Sequence, residues 1–323
     1  MSNSYRSAAI VKSSLLMMMS LCCAPQAALS CINEYEDKTP VDERLLLEHR
    51  LHAEQKQQYL EGLNRGHVQP PSDETLDKLR LAAYEGDYRA KSDYAVALVR
   101  RGDLAQAIEI FQEIEQQHPG EYVVAANLGT AFELAGDDEK ALKWITIGLR
   151  RNPQSHFGSE WLHVKILQAK LSLVKNPSWL QSNSILGLAF GPDGRPTTEV
   201  RDLDGHTISL DQAREALEYQ LRERLSLVSP KDAVVSSLLS HLGAILALTR
   251  VNAPAIGVYE LAASYSPDNT AWIHEQIQRL NYPPSEPPPF YAVLSLVVSV
   301  IALIGAVGLY LQRRPERANQ MAF

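Results

Sequence analysis

Two copies of one pattern, 34 residues apart, occupy residues 88–155. Gly102-Asp103 recurs as Gly136-Asp137, Ala107 as Ala141, and Pro119 as Pro153. A fixed period of this length constrains the fold more than any single residue does. Each unit is too small to bury its apolar side alone and must bury it against the next. Within each copy the apolar residues recur at helical spacing, so each unit reads as two amphipathic helices around a Gly-Asp turn. The predicted helices are 88–101 and 104–117, then 122–135 and 139–150. Small residues are required where the two helices cross, and Ala95, Ala107, Gly129 and Ala141 stand there. Leu98, Phe111, Leu128, Phe132 and Ile145 fill the space beside them. Pro119 and Pro153 stop the second helix of each unit, because proline cannot continue a helix.

This set of positions resembles the tetratricopeptide repeat (TPR) family. The resemblance covers the Gly-Asp turn, the small crossing residues, the bulky position after the alanine and the terminal proline. Asn127-Leu128-Gly129-Thr130-Ala131-Phe132 also fits the family's first-helix pattern. Lys91 and Ala125 depart from it where the family often has Trp. The resemblance implies an all-α fold, an alpha-alpha superhelix of helical hairpins.

The units at residues 88–174 are preceded by an N-terminal helical extension or cap at 31–87, with helices expected over 44–63 and 73–84. A third unit starts near His156 and then loses the register. Residues 175–208 read as an insertion, with turn signals at Gly191-Pro192-Asp193-Gly194 and a short hairpin around Asp204-Gly205. Helical pattern resumes over 209–281. Ser209-Leu210-Asp211-Gln212 is a capping-box start. The repeat register returns over 236–269, where Leu242-Gly243, Ala255, Tyr259, Ala262 and Pro267 keep the earlier spacing and Arg250-Val251-Asn252 replaces the Gly-Asp turn. Residues 269–280 supply a polar terminal helix.

Both ends of the chain speak to location. Arg6 and Lys12 precede a short apolar run and the small residues Ala27-Ala28-Leu29-Ser30, as in an export signal over 1–30. Cleavage after Ser30 would make Cys31 the new N-terminus. That resembles a lipoprotein, although Ala28 stands where a leucine is favoured; the alternative is an unmodified cysteine. Residues 290–311 form an uncharged apolar run long enough to span a bilayer as one transmembrane helix. Arg313, Arg314 and Arg317 then place the tail at 312–323 in the cytoplasm. A Pro-rich tether, 282–289, precedes the span. The expectation is a single-pass cell-membrane protein of a bacterial-type envelope, its repeats extracytoplasmic (periplasmic). Ser295, Ser299, Ala302 and Ala306 make a small-residue stripe suited to a homodimer through that helix, or simply to any spanning helix.

Function follows from what is present and what is missing. A formal net charge of -7, with basic and acidic residues interleaved, argues against nucleic acid as a partner. There is no phosphate loop and no nucleophile elbow. No cofactor, catalytic residue or metal site is expected. His49 and His52 share a helix face without a third ligand. His206 beside Asp202 and Asp204 reads as turn chemistry before acid–base chemistry. The resemblance implies a protein or peptide partner on the concave face lined by the first helices. Arg89, Ser92, Val96, Val99 and Arg100 would lie there, with Val123, Ala126, Asn127, Thr130 and Glu133 from the second unit. Some family members clamp a carboxylate there; Asn127 fits that pattern, whereas Ser92 and Val96 stand in place of its Lys and Asn. Arg89, Arg100 and Arg101 form either a basic patch for an acidic partner or a solvated face. The leading reading is a non-enzymatic membrane-anchored scaffold. The alternative is an enzyme or small-ligand sensor with its site in 185–208, framed by the repeats.

Overall fold

The computed structural model describes residues 34–35, 55–64, 69–191, 194–249, 252–266 and 270–282, with 301, 303, 304, 306, 307 and 309. It is mostly helical, and it divides into two units that are described in turn.

The first unit contains residues 61–179 and 215–229 with the N-terminal segment. After α1 (Lys56–Leu63), whose end Leu63 is fully buried here, come α2 (Asp73–Glu85), α3 (Tyr88–Arg101), α4 (Leu104–Gln117), α5 (Tyr122–Leu134) and α6 (Asp138–Arg151). The starts of α2 and α3 are capped as the sequence dictates. Ser72 Oγ accepts from the Thr75 N–H at 3.1 Å, and Asp87 accepts from the N–H groups of Arg89 and Ala90.

The Gly-Asp turns share one geometry. Gly102 and Gly136 take φ of 91° and 82°, a left-handed conformation that side chains resist. In the first turn the Gly102 and Asp103 N–H groups reach back to Val99 and Leu98. In the second, Gly136 and Asp137 reach Glu133 and Phe132. This paired closure satisfies carbonyls that would otherwise be orphaned at the helix end. Asp137 then caps α6 through the Lys140 N–H, whereas Asp103 makes no such bond to α4.

Helices pack on their sequence neighbours: α2 on α3, α3 on α4, α4 on α5, α5 on α6. The crossing residues Ala95, Ala107 and Ala141 are fully buried. At Gly129 an added Cβ would stand 2.6 Å from Ile145 Cδ1 and 2.9 Å from the Ile145 nitrogen, so α5 and α6 touch nearly backbone to backbone. After α6 come a four-residue turn, α7 (Ser155–Gly158), and a long helix, α8 (Glu160–Lys175), which packs on α6. A short turn, α9 (Trp179–Ser182), follows instead of a second long helix. Residues 215–227 of a later helix, α10 (Leu210–Leu227), also belong to this unit.

The second unit holds residues 49–60, 180–214 and 230–323. Its hairpin pairs β1 (Val200–Arg201) with β2 (Thr207–Ile208), antiparallel, Val200 opposite Ile208, around Asp204-Gly205. Gly205 carries the positive φ of 84° that the turn needs. The start of α10 is the reciprocal capping box read from the sequence: Gln212 N–H to Ser209 Oγ at 3.2 Å, and Ser209 N–H to Gln212 Oε1 at 3.1 Å. α11 (Ala233–Thr249) and α12 (Asn252–Tyr265) cross at Gly243, where a Cβ would meet the Tyr259 ring at 3.0 Å. This is the Gly129–Ile145 crossing again, so the returning register has a structural counterpart. Asn252, expected in the turn, instead opens α12, and its Nδ2 donates to the Leu280 carbonyl. α13 (Thr270–Asn281) covers α12.

Among the described residues, no helix is long and apolar enough to cross a membrane. The run at 290–311 lies mostly outside the described residues; 301, 303, 304, 306, 307 and 309 within it are helical. The signal segment 1–30, Cys31, His49, His52, the 283–289 part of the tether and the tail also lie outside them.

Candidate functional site

The first helices α3 and α5 carry the residues that the resemblance places on the inner face. Ser92, Val96, Val99, Ala126, Asn127 and Thr130 are all buried there. The Thr130 hydroxyl is turned back onto the Ala126 carbonyl at 3.1 Å, as helix-interior threonines do. Only Arg89 is exposed, while Arg100 and Glu133 are partly accessible. The groove is occupied by the chain itself at two places, both within the first unit.

At the α3 end the occupant is the pair Glu34–Tyr35. Arg100 binds the Glu34 carboxylate, and the Tyr35 N–H donates to Asp93 Oδ1 at 2.7 Å. The Tyr35 hydroxyl donates to Glu121, and its ring stands edge-on to Tyr88 at 5.9 Å. The Arg89 guanidinium lies 5.8 Å from the Tyr35 ring centre and 5.0 Å from that of Tyr88. Burial, reinforced by the charge of Glu121, pushes the Tyr35 phenol well above its ordinary range.

At the α5–α8 end the occupant is α10. Arg224 Nη1 and Nη2 lie 2.7 and 3.3 Å from the two oxygens of Glu133. His163 Nε2 reaches the same carboxylate at 2.7 Å and Lys170 Nζ at 3.1 Å, while Lys170 also pairs with Asp138 at 2.6 Å. On its other side, His163 Nδ1 lies 3.3 Å from Glu160, which is also bound by His156. Tyr219 stacks on His156, and Gln220 donates to Ser159 at 3.3 Å. His156 and Phe157 both have positive φ, 52° and 55°, two successive residues held in a conformation that costs each of them energy.

The electrostatics of this cluster follow from its packing. Burial alone would raise the Glu133 carboxyl, but Arg224, the His163 hydrogen bond and Lys170 outweigh it and hold it well below the usual range. Glu160 is likewise lowered, against its own burial, by His156 and His163. Burial disfavours the charged His163 ring, yet its bonds to Glu133 and Glu160 raise it overall. Three carboxylates therefore face Arg224, Lys170 and a ring that favours its proton. Such an arrangement is a largely buried ionic lock that ties α10 to α5 and α8.

The sequence reading singled out Glu133, Arg89 and Arg100 but not their companions. Asp93, Glu121, Glu160, His163 and Arg224 were missed. Asp93 carried a usable signal, an acid directly ahead of the apolar Tyr94–Val99 stretch. Glu160 and His163, three residues apart on one helix, carried another. Nothing local marks Arg224.

In the insertion, Asp202, Asp204 and His206 do come together. Asp202 Oδ1 accepts from the N–H groups of Asp204 and His206, and Oδ2 lies 3.1 Å from His206 Nδ1, which is turn chemistry. A separate cavity of about 310 Å³ is lined by Arg195, Thr198, Glu199, Thr207, Leu210 and Leu248, without Asp202 or His206.

Residues 98–159 match the family model described as tetratricopeptide repeat. That match supports the TPR family. It covers the last turn of α3 through α6 and the four-residue turn α7, including both left-handed glycine turns and the Gly129 crossing. A search of curated proteins finds no match to the chain. TPR proteins are usually non-enzymatic scaffolds that bind protein partners, and the repeats suggest that role for this chain.

Proposed function

We propose that this chain is a non-catalytic scaffold, held in a membrane by residues 290–311, that presents its repeats on the extracytoplasmic side and binds a protein partner there. The observation that carries the binding role is the stacked hairpin array with its turn and crossing glycines, matched over 98–159 to a family of interaction modules. The anchoring and sidedness rest on the sequence: the basic-then-apolar start, the apolar run and the arginines after it. Because most of the inner face is filled by the chain itself, the partner engages the Arg89–Arg100 end or displaces one of the two occupants.

Co-purification from solubilised membranes tests the binding role. A stoichiometric protein partner retained by the native chain and lost with Arg100→Ala supports it; a partner-free protein carrying a small molecule in the hairpin cavity favours a ligand sensor instead. A phosphatase fused after Phe323 tests the topology, with activity outside the cytoplasm overturning it. Ala302→Leu should weaken self-association in a membrane-dimerisation reporter if the small-residue stripe pairs two copies.

A further inference from the structure

Glu34 and Tyr35 sit on α3 as a bound peptide sits on a receptor. Two residues engage four kinds of recognition: an ion pair to Arg100, a main-chain hydrogen bond to Asp93, a phenol bond to Glu121 and ring contacts with Tyr88 and Arg89. The receiving groups are held ready by their own neighbours. The Tyr88 hydroxyl donates to Glu121 Oε1 at 3.0 Å, leaving Oε2 for Tyr35, and Tyr88 is itself stacked on His118 at 4.3 Å. Asp93 is only 4% exposed. A carboxylate is costly at such a place unless donors meet it, and the Tyr35 N–H, at 2.7 Å, is one such donor. Beside the Glu34 carboxylate lies a cavity of about 210 Å³ lined by Pro71, Thr75, Leu79 and Ala97.

We infer that this surface is a recognition site for a Glu-Tyr segment, and that its external ligand is a partner-protein segment of that acidic–aromatic chemistry, which takes the place of Glu34–Tyr35. The inference rests on the scaffold reading above and specifies its partner. A segment of the same chain competes at an effective concentration on the order of millimolar. An outside segment must therefore exceed that, by filling the cavity or by making further contacts. The chain's own pair acts as a threshold that rejects weak acidic peptides.

Fluorescence anisotropy on the full chain in detergent tests this. The probe is a labelled peptide with the sequence of residues 33–36, Asn-Glu-Tyr-Glu. The Glu34→Ala/Tyr35→Ala protein, its site emptied, should bind the probe at least about tenfold more tightly than the native protein, since self-occupancy lowers the competent fraction. Adding Arg100→Ala to the emptied protein should abolish that gain, and a probe with glutamine at the position of Glu34 should bind about tenfold more weakly. If the double variant loses its cooperative unfolding transition, Glu34→Gln, which keeps the tyrosine, replaces it. Equal binding by native and emptied proteins, or no preference for glutamate over glutamine, overturns the inference. If that happens while a partner still co-purifies regardless of Arg100, the scaffold reading stands without it; if no partner co-purifies either, both fall.

Discussion

Glu133→Gln should destabilise the first unit severely although it changes one atom. The carboxylate is met by Arg224 at 2.7 Å, His163 at 2.7 Å and Lys170 at 3.1 Å, and its side chain is 9% exposed. The amide keeps the shape and one acceptor but removes the charge. Lys170 retains Asp138 and His163 retains Glu160, while both guanidinium contacts of Arg224 to this carboxylate lose their anionic acceptor. Removing one partner of a buried ion pair typically costs about 3–5 kcal/mol. For a domain of this size about 1 kcal/mol moves the melting temperature by about 2–4 °C, so a fall of roughly 10 °C is expected. Circular dichroism melts of the full chain at neutral pH would read it, with the exposed Glu139→Gln as a control expected to change stability by less than about 0.5 kcal/mol. Combining the substitution with Arg224→Gln should cost less than the two losses added, with a coupling of about 1–3 kcal/mol. A fall of under about 2 °C, or strictly additive losses, would show that the cluster is not a lock.

Protonation gives a second check, with a sign for His163 opposite to that of Glu133, Glu160 and His241. His163 is raised by its carboxylates, so its contribution is complete below about pH 6.5 and is lost as pH climbs through the raised value; His163→Gln should flatten that alkaline arm. Glu133 and Glu160 are lowered, so their contribution is present above about pH 4.5 and fades as acid protonates them. His241, buried against Phe190 with Ser184 Oγ 3.0 Å from its Nε2, is pushed down by burial to about 4. Its contribution is present above pH 6.5 and declines toward pH 4, by at most about 3 kcal/mol, and stability measured across that range should lose this slope in His241→Asn. At the helix crossings, Gly129→Ala should cost about 2–3 kcal/mol in denaturant unfolding, because a Cβ there meets the Ile145 backbone nitrogen as well as its side chain. Gly243→Ala, against a ring face at 3.0 Å, should cost less, and a reversed order would refute the crossing geometry.

The helices and turns were legible because their causes are local. A left-handed glycine followed by aspartate, or a small residue opposite a large one, leaves its mark within one repeat, and α3 and α4 begin and end where the periodicity puts them. The insertion's hairpin was legible for the same reason, since Asp204-Gly205 dictates the turn. The state of the inner face was not. Asn127, Thr130 and Val96 look alike in sequence whether a groove is empty or filled, and what fills it comes from residues 34–35 and 224. α10 misleads in the same way. Glu218, Arg222, Glu223 and Arg224 are all charged, yet all are buried. Charge identity says nothing about partners brought together from far along the chain.

The lock at Glu133 also has a timing. Its arginine lies 91 residues downstream. At ribosomal rates of about 5–20 residues per second, roughly 5–20 s separate the synthesis of α5 from that of Arg224. During that interval the first two repeats have all their own contacts but lack the cation that seals their inner side. The side of the repeats that Arg224 closes in the finished molecule thus stands without that cation for part of each chain's synthesis.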